Sequence, residues 1–397
     1  MPTNRFRHLS AVSLTQVAQV KTFTITATGG GTAVWTLTLT DEKSVTHTVS
    51  YTEDGSPSVT EVATGLYTNW LASTDPYISR LTPTNPSAGV LVLTAKDAGR
   101  PFSVALADNG TGTHTEADTA SVGFNDYGLA SNWTGGELPD LYDDVVFEAG
   151  QTGVLYGMNQ SAVPIAGFSV EPGCESQIGR YEFGEYTYLR IAPTSFNYRG
   201  SGRLCLFDIG SAAISPYIEA YGQPGTQGLP AIFIKGSAIS TLEVNRGAVG
   251  VAYLPGDTAT VTTLTVGSEN QQGIAQNALV LYLGSGLTLT TLNLSSGTCY
   301  MDCGATTVNV SNGATLITRA GAITTLNNRG TVYLNSSGTV TTLNNWGFVD
   351  SSRDKTARTI STYVEKPGGS LRYHSAVTLS AVTKLTDDGS HTYARVT

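Results

Sequence analysis

Residues 323–347, ITTLNNRGTVYLNSSGTVTTLNNWG, begin and end with nearly identical segments. ITTLNNRG at 323–330 recurs as VTTLNNWG at 340–347, seventeen residues later. An apolar anchor that follows Thr, usually in a Thr or Ser pair, recurs through the C-terminal half. A repeat of about seventeen residues is too short for a helical hairpin or a propeller blade and suits one coil of a β-solenoid. The anchors are Leu242, Leu264, Leu292, Val308, Leu326, Leu343 and Ile360.

The alternation within each repeat predicts which side chains point inward. Leu326 and Leu343 should stack one strand spacing apart, about 4.8 Å. The Asn pairs at 327–328 and 344–345 then lie at a turn, where Asn tolerates left-handed backbone and stacked amides can share hydrogen bonds. A glycine follows the anchor in most copies, at Gly247, Gly297, Gly313, Gly330 and Gly347.

The solenoid domain is predicted to span 121–397. No helix-period segment follows GFNDYGLASNWTGGELPDLYDDVVFEAG at 123–150, which is rare over so long a stretch of a globular domain. Coils are stabilised by their neighbours, so both ends need protection. DDVVFEA (143–149) and LTDDGSHTYARVT (385–397) are the predicted caps, and GSENQQGIAQNA (267–278) is a predicted loop.

Residues 20–120 predict a small α+β domain of order ββ(β)αββ, preceded by an extended arm at 1–19. FTITAT (23–28), WTLTLT (35–40) and SVTHTVSY (44–51) alternate apolar and polar residues, as half-buried strands do. Strands GVLVLTA (89–95) and PFSVALA (101–107) follow a helix within 56–73, with Ser58 as its cap. The fold class is therefore mainly β, a β-solenoid preceded by a small α+β domain. The apolar face of the helix comprises Val59, Val62, Ala63, Leu66 and Trp70.

Composition narrows the function classes. A net charge of −9 and the lack of any basic block argue against a nucleic-acid partner or an anionic membrane surface. No apolar run reaches the roughly 18 residues that a membrane span needs. The first twenty residues do not resemble a secretion signal. We therefore expect synthesis in a cytoplasm, without membrane insertion. The four cysteines, 174, 205, 299 and 303, are expected to be buried apolar residues, since the C-x3-C pair 299/303 has no nearby His.

Several groups of polar residues could form a catalytic or metal-binding site. A polysaccharide-cleaving solenoid needs two carboxylates about 5–10 Å apart. Asp302, Asp350, Asp354 and Glu365 are candidates, although Arg353 and Lys355 favour an ion-pair turn around Asp350 and Asp354. Asp140, Asp143 and Asp144 could bind a hard cation, but a polar turn is the favoured interpretation. We assign no catalytic, metal or cofactor-binding residue, and expect no cofactor. The five histidines, His8, His47, His114, His374 and His391, show no paired spacing.

A tyrosine-rich segment, YEFGEYTYL (181–189), offers another possibility. Exposed tyrosines suit sugar stacking or protein contact. Alternating tyrosines also suit an ordinary strand, which is the favoured interpretation. Tyr198, Tyr217 and Tyr221 extend this tyrosine-rich region.

Three segments resemble structural proteins of tailed bacteriophages. VLVLTAKDAGRPFSVAL (90–106) is similar to small virion modules, and SNWTGGELPDLYDDVVFEAG resembles an N-W-x-x-G-x-x-P-x-x-x-D-D segment that introduces β-solenoids. SSRDKTARTIS (351–361) and the TTLN rungs extend the likeness. The resemblance implies a non-enzymatic virion component, a tail fibre, spike or capsid decoration. It also implies a homotrimer that contacts other virion proteins through its N-terminal domain.

Two alternatives stay open. One is a tailspike polysaccharide depolymerase with carboxylates on the solenoid face. The other is an adhesin that binds a host-surface glycan without cleaving it, through Tyr186 and Tyr188.

Overall fold

A computed structural model of the chain describes residues 3–7, 14–202, 204–210, 216–220, 230–267, 279–384 and 392–396. The protein is mainly β, with 54% strand and 6% helix, which confirms the predicted fold class. The N-terminal elements are β1 (Thr3–Arg5), β2 (Val20–Ala27), β3 (Val34–Thr40), β4 (Thr46–Thr52), α1 (Val59–Ala72), a 3-10 turn (Ile78–Arg80), β5 (Leu81–Thr84), β6 (Val90–Ala95), β7 (Ser103–Asp108) and β8 (Thr113–Thr119).

Helix α1 begins and packs as its sequence predicts. The Ser58 side chain accepts a hydrogen bond from the Glu61 amide at 3.2 Å, which caps the first turn. Its apolar face is buried against two antiparallel sheets, one of order β5-β6-β2-β8 and one of order β4-β3-β7. Together they enclose a core of their own that includes Phe23, Trp35 and Leu91.

Two strands of this unit differ from the predicted pattern. β5 and β8 extend the larger sheet, and β8 pairs along the whole of β2. The side chains of β8 are almost all exposed, so its sequence THTEADT carries no alternation from which a strand could be predicted.

The remaining strands wind into a solenoid, except for β12 (Arg180–Glu182) and β13 (Glu185–Thr187), which form a separate hairpin. The solenoid strands are β9 (Asp144–Phe147), β10 (Asn159–Ile165), β11 (Gly167–Val170), β14 (Leu189–Pro193), β15 (Phe196–Tyr198), β16 (Cys205–Asp208), β17 (Tyr217–Glu219), β18 (Ile232–Val251), β19 (Ala259–Val266), β20 (Leu279–Leu283), β21 (Leu287–Leu294), β22 (Thr298–Met301), β23 (Ala305–Val310), β24 (Thr315–Thr318), β25 (Ile323–Asn328), β26 (Thr331–Leu334), β27 (Val340–Asn345), β28 (Phe348–Ser351), β29 (Arg358–Glu365), β30 (Ser370–His374), β31 (Val377–Lys384) and β32 (Thr392–Val396).

These strands form two parallel sheets that share one apolar interior. We call them the odd sheet and the even sheet, after the numbers of most of their strands. The strand order of the odd sheet is β1, β9, β11, β15, β17, β18 and then the odd-numbered strands from β19 to β31. The strand order of the even sheet is β10, β14, β16, β18 and then the even-numbered strands from β20 to β32. Strand β18 pairs in both sheets. Its two ends pair with β16 and β20 of the even sheet, and its middle pairs with β19 of the odd sheet. One continuous core cluster extends from Phe6 to Val377. Among the described residues of the solenoid the only helical turn is the 3-10 segment Ala130–Asn132.

The register confirms the predicted stacking of the repeat. Leu326 lies opposite Leu343, and both are fully buried. The last anchor was predicted wrongly: Tyr363 lies opposite Leu343, while Ile360 lies opposite Val340. The longer turn between β28 and β29 lengthens this coil and moves the apolar residue that fills the anchor position.

The asparagines form two ladders, one on the outside and one inside. Outside, the Nδ2 groups of Asn309, Asn327 and Asn344 each donate to the Asn of the preceding coil, at 2.8 Å. Inside, Asn328 donates to Asn345. The predicted amide hydrogen bonds are therefore present, but the left-handed backbone is not. The pairs lie within β25 and β27, and among the described residues only Ser44, Phe183 and Ala252 combine a side chain with positive φ.

The repeat glycines serve two different purposes. Gly247, Gly297 and Gly313 adopt positive φ, which other residues rarely do. Gly330 and Gly347 are instead required by close approach, because a Cβ on Gly347 would lie 2.2 Å from the carbonyl oxygen of Gly330.

The N-terminal end of the solenoid is closed by the first strand of the chain. Within the predicted extended arm, β1 pairs in parallel with β9 as the terminal rung. Phe6 packs between Trp133 and Phe147, with ring centroids at 5.2 and 5.0 Å. The predicted cap DDVVFEA thus supplies β9, the second rung, and β1 covers it.

The N-W motif holds this closed end together. Asn132 is fully buried and its amide donates to the carbonyl oxygens of Gly123 and Asp126 at 2.8 and 2.7 Å. The Trp133 indole donates to the Tyr127 carbonyl at 2.9 Å. The α+β unit is inserted between the adjacent rungs β1 and β9, and an antiparallel bridge between Val17 and Val122 joins the segments that enter and leave it.

Two predicted segments fall partly outside the described residues. In the predicted loop 267–278 only Gly267 is described, and in the predicted C-terminal cap only β32, which pairs in parallel with β30, is described. No helix within the described ranges is long and apolar enough to span a membrane.

Candidate functional site: the hairpin groove

The tyrosine-rich segment folds into a hairpin outside the solenoid wall. Strands β12 and β13 pair antiparallel and precede β14 of the even sheet. The turn between them places Phe183 and Gly184 at positive φ, of 53° and 82°. The segment therefore forms strands, the interpretation favoured from the sequence, but these strands belong to no solenoid sheet.

One side of the hairpin is clamped to the α+β unit through Glu182. Its carboxylate accepts from Arg80 at 2.7 Å, from Arg100 at 2.8 and 3.1 Å, and pairs with Arg180 at 3.0 Å. Burial raises the pKa of Glu182, but the hydrogen bonds from Arg100 and the charges of the three arginines outweigh it and leave the pKa below its ordinary value. We call this the Glu182 clamp.

A second contact at the hairpin turn strengthens the clamp. Glu185 accepts from the Lys43 ammonium at 2.6 Å and from the Tyr77 hydroxyl at 2.9 Å. The rings of Tyr77 and Phe183 contact each other, with centroids 5.4 Å apart, and the Arg80 guanidinium lies 4.3 and 4.6 Å from those centroids. Burial, followed by the bond to Glu185, raises the pKa of Tyr77 to about 12. Beneath these contacts lies a cleft of about 310 Å³ between the two units.

The other side of the hairpin borders a groove on the solenoid. Two cavities of about 600 and 430 Å³ lie side by side and share Arg190, Lys235 and Gly256. Their combined lining defines the hairpin groove. The wall comes from the hairpin, the floor from the even sheet and the far edge from the turn after β18. The polar and aromatic side chains of the groove are Glu42, Lys43, Ser161, Tyr181, Glu185, Tyr186, Thr187, Tyr188, Arg190, Asp208, Lys235, Ser237, Asp257 and Thr258.

Charges of alternating sign cross the groove floor. Arg190, Asp208 and Lys235 occupy one register position on the neighbouring strands β14, β16 and β18. Arg190 lies 4.0 Å from Asp208, and Lys235 lies 3.4 Å from Asp257. Each cation on the floor therefore has a carboxylate neighbour, and the floor carries little net charge.

Buried Tyr188 fixes the geometry of this floor. Its hydroxyl donates to the Asp257 carboxylate, and the Lys235 ammonium lies 4.1 Å from its ring centroid. Burial and the negative charge of Asp257 raise the pKa of Tyr188 far above its ordinary value, so the hydroxyl stays a donor.

A row of aromatic side chains extends from the groove along the outer face of the even sheet. Tyr181 contacts Tyr186 at 4.5 Å between centroids, and the row continues at separations of 5.2 to 6.5 Å. Gly250 makes room for it, because a Cβ there would lie 3.0 Å from that of Tyr253. The further rings are Phe233, Tyr253, Tyr282 and Tyr300.

The predicted tyrosines have different environments. Tyr181 is 54% exposed and Tyr186 half-buried at the groove, whereas Tyr188 is only 6% exposed and Tyr198 lies in the solenoid core. Tyr217 is half-buried in β17, and Tyr221 lies outside the described residues. Sequence reasoning missed Arg190, Asp208, Lys235 and Asp257, which come from separate coils and share no local motif.

The four candidate carboxylates lie in different parts of the solenoid, apart from Asp350 and Asp354, which share one turn. Asp302 forms a double hydrogen bond with Arg319 at 2.7 and 2.8 Å. Asp350 belongs to the even sheet, whereas Glu365 is buried at the end of β29 in the odd sheet.

The turn around Asp350 and Asp354 contains one expected ion pair, between Asp350 and Arg353, whereas Asp354 accepts hydrogen bonds from Thr356. Asp350 accepts from Ser352 and lies 3.3 Å from Arg353. Burial alone would raise the pKa of Asp350, but the bonds from Ser352 and the charge of Arg353 outweigh it. The pKa of Asp350 therefore lies below its ordinary value. Bonds from Thr356 lower the pKa of Asp354. A general acid requires the opposite shift.

Asp140 and Asp143 form the polar turn that the sequence favoured, and Asp144 is the first residue of β9. Asp143 accepts from the Asp140 amide at 3.1 Å and from the Asn4 side chain at 3.4 Å, and Asp140 accepts from the Tyr142 amide. Within the described ranges, no three His, Cys, Asp or Glu side chains are grouped as a metal ion would require.

The cysteines and histidines have ordinary structural surroundings. All four cysteines are buried and free, and burial raises the pKa of Cys303 to about 12. His47 contacts Asp75 at 2.7 Å, His114 contacts Glu116 at 3.3 Å, and His374 accepts from the Ala376 amide. His8 and His391 lie outside the described residues.

No family model matches the chain, and neither the curated proteins nor the solved structures contain a significant match to it.

Proposed function

We propose that the protein is a non-enzymatic structural component of a bacteriophage-like particle. In this role the α+β unit attaches to the particle and the solenoid projects outward or packs against neighbouring copies. The observation that carries the proposal is the continuous apolar core from Phe6 to Val377, enclosed by parallel strands. Each coil is held by its neighbours, so such a core stiffens the whole length and protects the backbone from proteases.

The Glu182 clamp supports the attachment role of the α+β unit. If a flexible linker joined the α+β unit to the solenoid, attachment of the unit to a particle would not fix the direction of the solenoid. Here Arg80 and Arg100 of the unit bind Glu182 of the hairpin, and Arg180 of the hairpin binds Glu42 of the unit. The chain also enters and leaves the unit at one point. The unit therefore holds the solenoid at a fixed angle to whatever it binds.

One outer face of the odd sheet suits packing against other copies. Thr241 heads a column of seven threonines in register, and a parallel column holds the asparagine ladder. We call these two columns the hydroxyl face. It is about 30 Å long at 4.8 Å per strand and uncharged over its central coils. The further threonines are Thr263, Thr291, Thr307, Thr325, Thr342 and Thr362.

The contrast with the even sheet supports this assignment. There the corresponding outer column reads Tyr282, Tyr300, Ile317, Tyr333 and Asp350, so side-chain chemistry varies from coil to coil. In a chain of net charge −9, a neutral and regular face is where two copies approach with least repulsion. We propose that three copies associate through it.

The test is the composition of intact particles. Particles released from the cells that make this protein would be purified by density and analysed by mass spectrometry and immuno-electron microscopy. We expect the chain in a fixed ratio to the major shell protein, and labelled at one defined place. Complete particles that lack the chain, while it remains in the soluble fraction, would rule the proposal out.

A further inference from the structure

We propose that the hairpin groove binds a neutral oligosaccharide. This inference goes beyond the structural role, which requires no ligand. The two joined cavities, of about 600 and 430 Å³, are of the size that small-ligand sites occupy. They therefore have room for several sugar rings.

The charge balance of the groove selects against ionic ligands. Its three cations, Lys43, Arg190 and Lys235, pair with the carboxylates of Glu185, Asp208 and Asp257 in that order. The fourth carboxylate of the lining, Glu42, pairs with Arg180 beside the groove. Paired charges of this kind attract neither a strong anion nor a strong cation over long range. They do supply charge-assisted donors and acceptors next to each other, which a ligand rich in hydroxyl groups can use on both sides.

The aromatic wall supplies the apolar half of sugar recognition. Tyr181 is 54% exposed, and its contact with Tyr186 holds the ring in place before any ligand arrives. A rigid tyrosine offers a large contact area at little cost in conformational entropy. The far edge adds Leu254 and Pro255, so a ligand is enclosed from two sides.

The floor of the groove is rigid and offers no backbone edge to a peptide. Strands β14, β16 and β18 of its floor are each paired on both sides, so an extended peptide finds no free strand to join. The floor charges belong to adjacent strands, and buried Tyr188 fixes Asp257. Such preorganisation reduces the entropy lost on binding.

The experiment is isothermal titration of the full chain with defined hexasaccharides. The neutral probes are maltohexaose, cellohexaose and chitohexaose, and the acidic probe is a hyaluronan hexasaccharide. We expect at least one neutral probe to bind, and more tightly than the acidic one. Tyr181→Ala should weaken that binding about tenfold, through loss of the ring contact. Lys235→Met should also weaken it, through loss of a donor.

The matched control is Tyr142→Ala. Tyr142 is 66% exposed and lies in the turn before β9, outside the groove, so its removal should leave binding unchanged. Equal melting temperatures would show that each variant is folded. The inference fails if no neutral probe binds at millimolar concentration, if the acidic probe binds more tightly, or if Tyr181→Ala and Lys235→Met bind as the unaltered chain does. None of these results bears on whether the chain is found in particles, so the two proposals are separable.

Discussion

The side-chain amide of Asn328 donates to Oδ1 of Asn345, its partner one coil further along the solenoid, at 2.8 Å. Both side chains are fully buried. Asn345 in turn accepts from the Gly347 amide at 3.2 Å and donates to the Ser370 carbonyl at 2.9 Å. One side chain thus links three successive coils and closes a turn between two of them.

Asn345→Ala is expected to destabilise the C-terminal coils by about 1–3 kcal/mol, because it leaves buried donors and acceptors without partners. The urea midpoint, followed through the fluorescence of neighbouring Trp346, measures this. Asn344→Ala is the matched control. It belongs to the half-buried outer ladder, where water replaces the lost amide, so its effect should be clearly smaller. Equal losses for the two variants would contradict the distinction between the ladders.

Gly347→Ala is expected to destabilise by about 1–3 kcal/mol, the usual cost of overpacking, since the new Cβ would lie 2.2 Å from the Gly330 carbonyl oxygen. Thermal unfolding measures the shift. Gly55→Ala is the control, because a Cβ at Gly55 has no neighbour within 4 Å. A melting temperature for Gly347→Ala equal to that of the control would show that the coils can move apart at no cost.

Acid is expected to release the Glu182 clamp before the solenoid opens. The pKa of Glu182 is lower in the folded protein than its ordinary value of 4.5. Its contribution is therefore complete at neutral pH and is lost as pH falls below 4.5 through the folded pKa. Protection factors of hairpin amides in hydrogen exchange should fall over this range, while those of β25 and β27 persist.

Two glutamine variants test that assignment. Glu182→Gln should lower hairpin protection already at pH 7 and flatten its acid dependence. Glu148→Gln, which removes a half-exposed partner of Arg5, should leave the hairpin profile unchanged. An unaltered acid dependence in Glu182→Gln would assign the effect to another group.

Phe6→Ala is expected to free the N-terminal rung, at a cost of about 3–5 kcal/mol for a buried phenylalanine. The loss should appear as fast hydrogen exchange in β1 and a shift in Trp133 fluorescence. Arg5→Ala, which removes only a half-exposed ion pair, should cost about 1 kcal/mol or less. Continued protection of β1 in Phe6→Ala would mean that backbone pairing alone holds it.

Thr325→Arg is expected to convert the proposed three-copy assembly into monomers, because it places a charge in the middle of the hydroxyl face. Sedimentation equilibrium measures the mass directly. Thr331→Arg introduces the same charge on the outer face of the even sheet, where Thr331 is equally half-buried, and should leave the assembly intact. A monomeric unaltered chain, or identical masses for both variants, would contradict the assigned interface.

The coils and helix α1 could be predicted because their signals are local. Leu326 and Leu343 repeat at the period of one coil, and Ser58 caps a helix whose apolar face is complete. The anchor at Tyr363 could not be placed from the repeat, since a longer turn changes the register in a way that spacing alone does not show. β8 was missed because a strand with exposed side chains has no alternation.

The candidate site was predictable only in part. Tyr181 and Tyr186 stand out in the sequence, but the charges that complete the groove do not. Arg190, Asp208 and Lys235 lie next to each other only because the solenoid places their strands in register. Chemistry assembled from neighbouring coils depends on the coil lengths, and those vary most in this part of the chain.

The position of β1 has a consequence for how the chain is made. Thr3–Arg5 leave the ribosome long before Asp144–Phe147, the strand they must pair with, and the whole α+β unit is synthesised in between. The first residues of the solenoid must therefore wait, unpaired, until an entire domain has emerged. Late pairing over so long a separation is slow, because loop closure precedes any gain from contact. Folding of the inserted unit brings Val17 and Val122 together. The chain that separates β1 from β9 is thereby shortened from more than a hundred residues to about a dozen before Val17 and about twenty after Val122.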